Sequence, residues 1–195
     1  MSASSPEVAP EPSRHERRRL RTRRDLLRAT GELLVERGYE DLKIQDITDR
    51  ADVARATFYV HFQHKQEAVW AVLVERFESF VGMMRADESL DVRERRHTRW
   101  VRIVEYAAAE RPLLLVLLGD KGHPTLRKYV SDYLGAVLRA EIESGRVPRT
   151  ADVPVVFEAR FYVGAIMEVI DGWLRDDPRP EPTELADCMA AMILG

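Results

Sequence analysis

The chain has 195 residues, enough for one or two small domains, and its 45% hydrophobic and 32% charged residues are ordinary for a globular protein. Its longest unbroken apolar runs, seven residues each at 68–74 and 188–194, are far shorter than the ~20 residues of a membrane helix, and no apolar stretch follows the N-terminus, so no secretory signal is expected. A single cysteine, Cys188, excludes a disulfide within one chain and favours a cytoplasmic location.

The net charge of −3 is unevenly distributed along the chain. Residues 14–65 carry 13 Arg and Lys against 9 Asp and Glu, a balance of +4, whereas residues 66–195 carry 17 against 22, a balance of −5. Two more acidic residues lie in the first 13 positions. A basic end on an acidic body indicates a surface for a polyanion, although a charged segment is often only a solvated face.

The N-terminal part predicts a tail followed by one long helix. We expect residues 1–17 to form a disordered tail, because this stretch begins small, polar and proline-containing and buries too little surface to fold. Seven arginines in 14–24 lead into apolar residues at helical spacing that end at Gly38. The pattern predicts a first helix over about 18–37, with another helix packed closely at Gly31.

Three helices are predicted next, and the first two are short. One covers roughly 44–51 and the other begins near Ala54, with Asp52 at the turn between them. Held against the first long helix, these two short helices would form a helix-turn-helix unit. A longer helix over 66–85 follows, with apolar residues at intervals of three and four.

The rest of the chain is also predicted to be helical, which makes the protein all-α with about nine helices. Breaks that contain proline and glycine separate five further helices. These lie at about 92–110, 112–119, 124–144, 153–176 and 182–194. No stretch alternates between apolar and polar residues for long, so no strand is predicted.

The stretch ARATFYVHFQHK, residues 54–65, separates apolar from polar side chains on a helix. Phe58 and Phe62 lie four residues apart and face a core, so the Thr, Tyr, His and Lys side chains fall on outward faces. Such groups reach phosphate oxygens in a recognition helix, while small residues allow close approach to the major groove. A solvated helix surface is the alternative, and the arginine run could likewise be a solubilising tail.

Residues 20–66 resemble the DNA-binding domain of TetR-family transcriptional regulators. The family pattern is a helix that ends in a Gly-Tyr pair, a helix with an Ile-Ala pair, a Gly-Val-Ser turn and then T-x-Y-x-H-F with a lysine three residues later. Its positions here are Gly38, Tyr39, Ile47, Thr48, Asp52, Val53, Thr57, Tyr59, His61, Phe62 and Lys65. Two positions depart from the family, since Asp52 replaces a glycine and Thr48 a small alanine. Aspartate tolerates the left-handed conformation of such a turn better than most residues do.

The resemblance implies a helix-turn-helix DNA-binding domain over 18–65 and a helical regulatory and dimerisation domain over 66–195. In the DNA-binding domain, the T-x-Y-x-H-F motif and its lysine would contact phosphates. Gln45 and Arg55 would reach base edges, because Arg pairs with guanine and Gln with adenine. The full predicted DNA-binding set is Lys43, Ile44, Gln45, Arg55, Ala56, Thr57, Tyr59, His61 and Lys65.

A regulator of this family usually holds an effector among its middle helices. Aromatic and apolar residues share faces of the helices at 92–110 and 124–144, which suits a small hydrophobic ligand. The predicted lining residues are Phe77, His97, Trp100, Val104, Tyr133 and Phe161. The same residues could be plain core, and the sequence does not identify a ligand.

The helix at 153–176 has an apolar arc broader than the stripe of an ordinary surface helix. Two partners are therefore expected, its own domain and a second subunit, and burial in its own domain alone is the alternative. With the helix at 182–194 it resembles the family's dimer interface, a four-helix bundle. The predicted interface residues are Ile166, Ile170, Trp173, Cys188 and Met192.

Catalytic and metal-binding patterns are weak in this sequence. One Glu-x-x-His sequence occurs, at 94–97, whereas di-iron bundles need two, and no glycine-rich phosphate loop or G-x-S-x-G is present. We expect no enzymatic activity, no metal and no cofactor. A helical enzyme and a helical small-molecule-binding or adaptor protein without operator-specific DNA binding are the alternatives. The favoured function is a ligand-responsive repressor that binds a palindromic operator in double-stranded DNA as a homodimer, without a membrane.

Overall fold

Nine α-helices and no strand form the part of the chain that the computed structural model describes, residues 13–85, 92–119 and 123–194. In chain order the helices are α1 (Arg14–Asp41), α2 (Ile44–Arg50), α3 (Arg55–His61), α4 (Lys65–Arg85), α5 (Val92–Ala109), α6 (Arg111–Leu118), α7 (Pro124–Glu143), α8 (Val155–Arg175) and α9 (Pro182–Leu194). The prediction of an all-α protein is confirmed. Within these ranges no helix is both long and apolar enough to cross a membrane.

The first helix begins at Arg14, inside the predicted tail. Glu16 N donates to Ser13 Oγ at 3.2 Å, and Ser13 N donates to Glu16 Oε2 at 2.7 Å, so each residue caps a backbone N–H of the other. This reciprocal cap stabilises the helix start and makes residues 14–17 helical rather than disordered. The rest of the predicted tail, residues 1–12, lies outside the described residues.

Two glycines determine the shape of α1. Gly38 has φ 77°, a left-handed conformation that glycine adopts at little cost, and it interrupts the helix where the sequence predicts its end. Gly31 lies where α1 packs against α4, because a methyl group there would stand 3.4 Å from Val72 Cγ1. The close helix packing that we predicted at Gly31 is therefore confirmed.

One hydrophobic core runs from the helix-turn-helix into the remaining helices. α1 packs against α2, α4 and α6, while α5 packs against α9 and α7 against α8. Phe58 of the second short helix and Phe62, which directly follows its last residue, are buried in this core, as predicted. Because α1 and α4 both contribute to this core, the two short helices pack on the same hydrophobic core as the later helices.

The turn between α2 and α3 accommodates both departures from the family pattern. Asp52 has φ 53°, the left-handed conformation that we expected for it. Thr48 is fully buried, and its hydroxyl donates to the carbonyl oxygen of Gln45 at 2.9 Å, so the polar group is satisfied inside the core. The carbonyl oxygen of Thr48 also accepts from Val53 N at 3.0 Å, which closes the turn.

The conformation of Asp52 generates a stability prediction. Asp52→Val should lower the free energy of unfolding by about 1–2 kcal/mol, because a β-branched residue is strained at positive φ. Asp52→Gly should leave this free energy unchanged or raise it, since glycine adopts the conformation freely. Chemical unfolding of the two variants checks the difference, and equal values for both would rule out backbone strain as the cause.

Candidate nucleic-acid interface and internal cavity

Two phenylalanines anchor α3, and its opposite face is open to solvent. The ring centroids of Phe58 and Phe62 are 5.5 Å apart in the core. Arg55 and Ala56 are exposed at the start of the helix, and Tyr59 is 49% exposed. Arg55 Nη2 donates to Tyr59 Oη at 3.4 Å, which keeps these two side chains together. A rigid helix with a small residue and polar groups outward has the surface that major-groove docking requires.

His61 ends α3 beside the arginine-rich start of α1. Burial, and then the positive charges of Arg19 and Arg23, lower the pKa of His61 below its ordinary value of 6.5. Arg23 also lies over the ring of Phe62, with its guanidinium carbon 4.7 Å from the ring centroid. The first turns of α1 and the end of α3 therefore form one basic surface, on which a neutral His61 can donate an N–H bond.

The predicted contacts of α2 have different accessibility. Lys43 is exposed at the N-terminal cap, and Ile44 is half-buried. Gln45 is exposed, and its amide nitrogen donates to Asp49 Oδ1 at 2.6 Å, a bond that base reading would have to replace. Thr57 on α3 is half-buried. All of these side chains lie on the helix-turn-helix, as the sequence predicts.

Lys65 is bonded within the protein. Its ammonium donates to three backbone carbonyl oxygens, those of Tyr39 at 2.9 Å, Glu40 at 3.2 Å and Leu42 at 3.1 Å. It also lies 4.5 Å from the ring centroid of Tyr39. Three acceptors occupy the three N–H donors of an ammonium, so no donor remains for a phosphate. These bonds join α4 to the end of α1, and the predicted phosphate contact, which would have to replace one of them, stays a prediction.

A cavity of ≈ 510 Å³ lies among α4, α5, α7 and α8. Its apolar wall includes Phe80, Met84, Ile103, Leu134, Leu138 and Met167. The volume and lining are those of a site for a small or elongated hydrophobic ligand.

Polar residues line one part of this cavity. Arg146 and Glu141 form a two-point ion pair, with Nε–Oε2 at 2.6 Å and Nη2–Oε1 at 3.1 Å. Arg99 and Ser144 contribute two further polar groups to the lining. Gly145, with φ 77°, ends α7 at this point and turns the chain so that Arg146 returns toward the cavity. A hydrophobic ligand with a charged head would meet both apolar and charged groups here.

None of the six predicted effector contacts lines this cavity. Three of them, Phe77, Trp100 and Val104, are packed in the core with 4%, 7% and 0% exposure. Helical periodicity correctly shows that these residues share buried faces. It does not show whether a buried face meets another side chain or an empty volume, because that depends on how the helices pack.

The other three predicted contacts lie elsewhere. His97 is exposed, and its Nε2 is 2.8 Å from Asp187 Oδ1, so it joins α5 to α9 on the surface. Phe161 is 71% exposed and faces solvent. Tyr133 lines a separate cleft between α4 and α7. A cavity among the middle helices is present, but the six predicted residues lie outside its lining, and their contact with an effector stays a prediction.

Some of the predicted dimer residues are buried within their own subunit, and others are exposed to solvent. Ile170 and Trp173 are 4% and 3% exposed, and Trp173 Nε1 donates to the carbonyl oxygen of Pro180 at 2.9 Å. Ile166 lines the cavity. These three residues already make contacts within their own chain, and their place at an intersubunit seam stays a prediction.

A different stripe of α8 is exposed. Phe157 is 61% exposed and Phe161 71%, and the exposed Gly164 and Ala165 follow one turn later. On α9, Cys188 is exposed and Met192 is 66% exposed. The i, i+4, i+7, i+8 spacing of the α8 stripe was visible in the sequence, but the broad apolar arc around it concealed which side is covered.

The sequence matches known families over both parts of the chain. Residues 97–195, just over half of its length, match the profile of the transcriptional regulator C-terminal region, and residues 26–71 match that of the bacterial regulatory proteins of the tetR family. The chain belongs to the TetR family. Its α2 and α3 are the helix-turn-helix of a DNA-binding transcriptional regulator, and the helices from α5 onward correspond to the second profile.

Relatives of this TetR-family protein include a regulator of fatty acid metabolism and a transcriptional activator. It is 22% identical over 181 residues to the fatty acid metabolism regulator protein of Bacillus subtilis (strain 168), which covers 87% of this chain and 92% of the relative. It is 38% identical over 63 residues to the HTH-type transcriptional activator FasR of Mycolicibacterium smegmatis, covering 32% of this chain and 29% of the relative.

Solved structures share the fold. FadR from Bacillus subtilis in complex with stearoyl-CoA has a TM-score of 0.65 at 19% identity, covering 88% of this chain and 97% of that chain. The fatty acid degradation regulator FadR from Bacillus halodurans has a TM-score of 0.64 at 21% identity, covering 89% of this chain and 95% of that chain. At these identities the similarity shows the fold.

The contacts of Lys65 generate a prediction with a matched control. Lys65→Met should lower the free energy of unfolding by about 1–3 kcal/mol, because it leaves three carbonyl oxygens without their charged donor. It should weaken DNA binding without changing the slope of log affinity against log salt. Lys43→Met removes an exposed charge and should reduce that slope by about 1 while leaving stability unchanged.

Unfolding curves and salt titrations of the two lysine variants decide between these roles. A reduced salt slope for Lys65→Met together with unchanged stability would show a phosphate contact and contradict the structural role.

Proposed function

We propose that this TetR-family protein is a ligand-responsive repressor that binds a palindromic operator as a homodimer. The observation that carries the proposal is the course of α4. The helix begins at Lys65, which is bonded to the end of α1, and near its other end Phe80 and Met84 line the cavity. One rigid helix thus connects the candidate DNA-binding surface with the candidate effector site, so a change in the cavity can alter the position of the recognition helix.

In the proposed complex α3 lies in the major groove. Arg55 reads a base edge, and Thr57, Tyr59 and His61 contact phosphates, since hydroxyl and imidazole groups donate to phosphate oxygens. The basic surface that Arg19 and Arg23 form beside His61 extends the phosphate contacts along α1. Lys43 and Gln45 approach the DNA from α2.

The DNA contacts are tested by selecting bound duplexes from a random library with the full-length protein. We expect two matching half-sites related by a two-fold axis, because a dimer presents two recognition helices. Tyr59→Phe should weaken all sites about equally, whereas Arg55→Ala should relax the preference at one base pair by about 1–3 kcal/mol. Loss of affinity for every sequence alike in Arg55→Ala would refute its role in base reading.

Repression itself is tested by placing the selected operator across a promoter in a purified transcription reaction. Transcription should fall as the protein is added, because a bound dimer covers the promoter. A rise in transcription would identify an activator and leave the DNA contacts unaffected.

The proposed homodimer is supported by the exposed stripe of α8. Phe157 and Phe161 present large apolar surfaces to solvent, and Gly164 and Ala165 beside them allow a second helix to approach closely. Exposed aromatic side chains of this size, together with Met192 on α9, mark a surface for another protein. A second copy of the same stripe gives a two-fold interface in which α8 and α9 of each subunit form a four-helix bundle.

The proposed dimer predicts different oligomeric states for two variants of Phe161. Phe161→Asp should give a monomer with unchanged helical content, because it places an unpaired charge in an apolar interface at a cost of several kcal/mol. Phe161→Leu should remain dimeric, since it keeps an apolar side chain of similar size. Sedimentation or light scattering at micromolar concentration measures the mass, and a monomeric unmutated protein would refute the interface.

The proposed effector is a hydrophobic chain with an anionic head. The apolar walls of the cavity accommodate hydrocarbon, while Arg99 and Arg146 in its lining can attract a carboxylate or phosphate. The relative from Bacillus subtilis whose structure contains stearoyl-CoA supports a long-chain acyl compound of this kind. When such a ligand enters, the walls contributed by α4 must move, and the spacing of the two recognition helices changes.

The effector is tested by titrating the selected operator with and without stearoyl-CoA. We expect the ligand to weaken DNA binding by about 5–150-fold, and DNA to weaken ligand binding by the same factor. Ile166→Trp should fill the cavity and abolish this response while retaining DNA affinity, whereas Ile166→Leu should keep it, because its volume is conserved. Identical titrations of the unmutated protein with and without bound stearoyl-CoA would exclude this compound as effector.

A further inference from the structure

α4 and α7 also face each other across a second, open cleft that shares no residue with the effector cavity. Its volume is ≈ 580 Å³. The lining residues are His64, Gln66, Glu67 and Trp70 from the start of α4, and Tyr129, Asp132 and Tyr133 from α7. The cleft therefore lies between the helix-turn-helix end of the molecule and the regulatory helices.

Three aromatic rings form the wall of this cleft. The ring centroid of Trp70 is 5.7 Å from that of Tyr129 at an interplanar angle of 62°, and 5.8 Å from that of Tyr133 at 83°. Tyr129 is 40% exposed, and the other two side chains are half-buried. Because these rings are steeply inclined to one another, the concave surface of the cleft contains both ring faces and ring edges. The negative face of an aromatic ring attracts a cation, and sets of such rings bind alkylated ammonium groups.

The charges around the rings favour the same class of ligand. Glu67 and Asp132 both line the cleft, and the described lining contains no lysine or arginine. Each carboxylate already has a local partner, since Glu67 Oε2 accepts from Gln63 N at 2.6 Å and Asp132 pairs with Lys128 outside the lining. The ion pair with Lys128 offsets the charge of Asp132, so Glu67, whose bonded partner is a neutral backbone N–H, supplies the main negative potential to the cleft. The other cavity differs, because two arginines and one glutamate line it.

We propose that this cleft binds an organic cation with an alkylated ammonium group of the choline type. Such a group is weakly hydrated and large enough to touch several rings, whereas a compact primary ammonium is strongly hydrated. Because Trp70 belongs to α4 and Tyr129 to α7, the bound cation contacts both helices at the junction between the DNA-binding and regulatory ends. The inference goes beyond the proposed function, and binding at the cleft requires neither operator nor effector.

The experiment compares choline with 3,3-dimethylbutan-1-ol, which has the same shape without the charge. Isothermal titration calorimetry of the full-length protein, without DNA and with sodium chloride adjusted to constant ionic strength, gives both affinities. We expect choline to bind at least about 5-fold more tightly than the alcohol, since the difference between them is the cation–ring attraction. Equal affinities, or no choline binding at millimolar concentrations, would overturn the proposal.

Two variants of Tyr129 locate the binding. Tyr129→Leu should weaken choline binding by roughly 2- to 30-fold because it removes one aromatic face, and Tyr129→Phe should retain the affinity because it keeps that face. Tyr129 is partly exposed, so both variants should unfold at the same temperature as the unmutated protein. An unchanged affinity in Tyr129→Leu would place the choline elsewhere and overturn the proposal. Because no DNA is present, a failure of choline binding would leave the proposed regulator function intact. A failure of operator binding would likewise leave the proposed choline site intact.

Discussion

The ammonium of Lys65 donates to three carbonyl oxygens at the end of α1. It thereby joins α1 to α4, the helix that runs from the DNA-binding end to the cavity. Carbonyl groups at a helix end lack intrahelical partners, and a charged donor that satisfies three of them fixes the position of the element that carries it. Here that element is α4, and the recognition helix precedes it directly in the chain. The orientation of α3 therefore depends on a contact made outside the DNA-binding surface.

The same helix end also meets α7. The ring of His123, the N-terminal cap of α7, lies 4.5 Å from the ring of Tyr39, and its Nε2 is 3.4 Å from Glu40 Oε1. α4 and α7 thus touch α1 at one end and line the candidate effector cavity farther along. Two helices that share both contacts provide a continuous physical connection, and the aromatic cleft lies between them.

The residues that sequence patterns predicted well are those whose roles depend on local geometry. Phe58 and Phe62 are four residues apart, so a helix must place them on one side and Arg55 and Tyr59 elsewhere. Asp52 replaces a glycine at a turn that demands a left-handed residue, and it adopts that conformation. These positions define the helix-turn-helix without any knowledge of the later helices, and the family match extends over the same segment.

The sequence by itself determined the all-α class, the helix order and the recognition face, because helical periodicity and turn chemistry act over a few residues. Only the tertiary structure decided that Lys65 is bonded to carbonyl oxygens more than twenty positions earlier in the chain, and that Phe77 and Trp100 fill the core beside the cavity. It also decided that Ile170 and Trp173 of α8 turn inward while Phe157 and Phe161 remain outside. The physical reason is that a periodic pattern specifies which residues share a face, whereas helix packing specifies what that face meets.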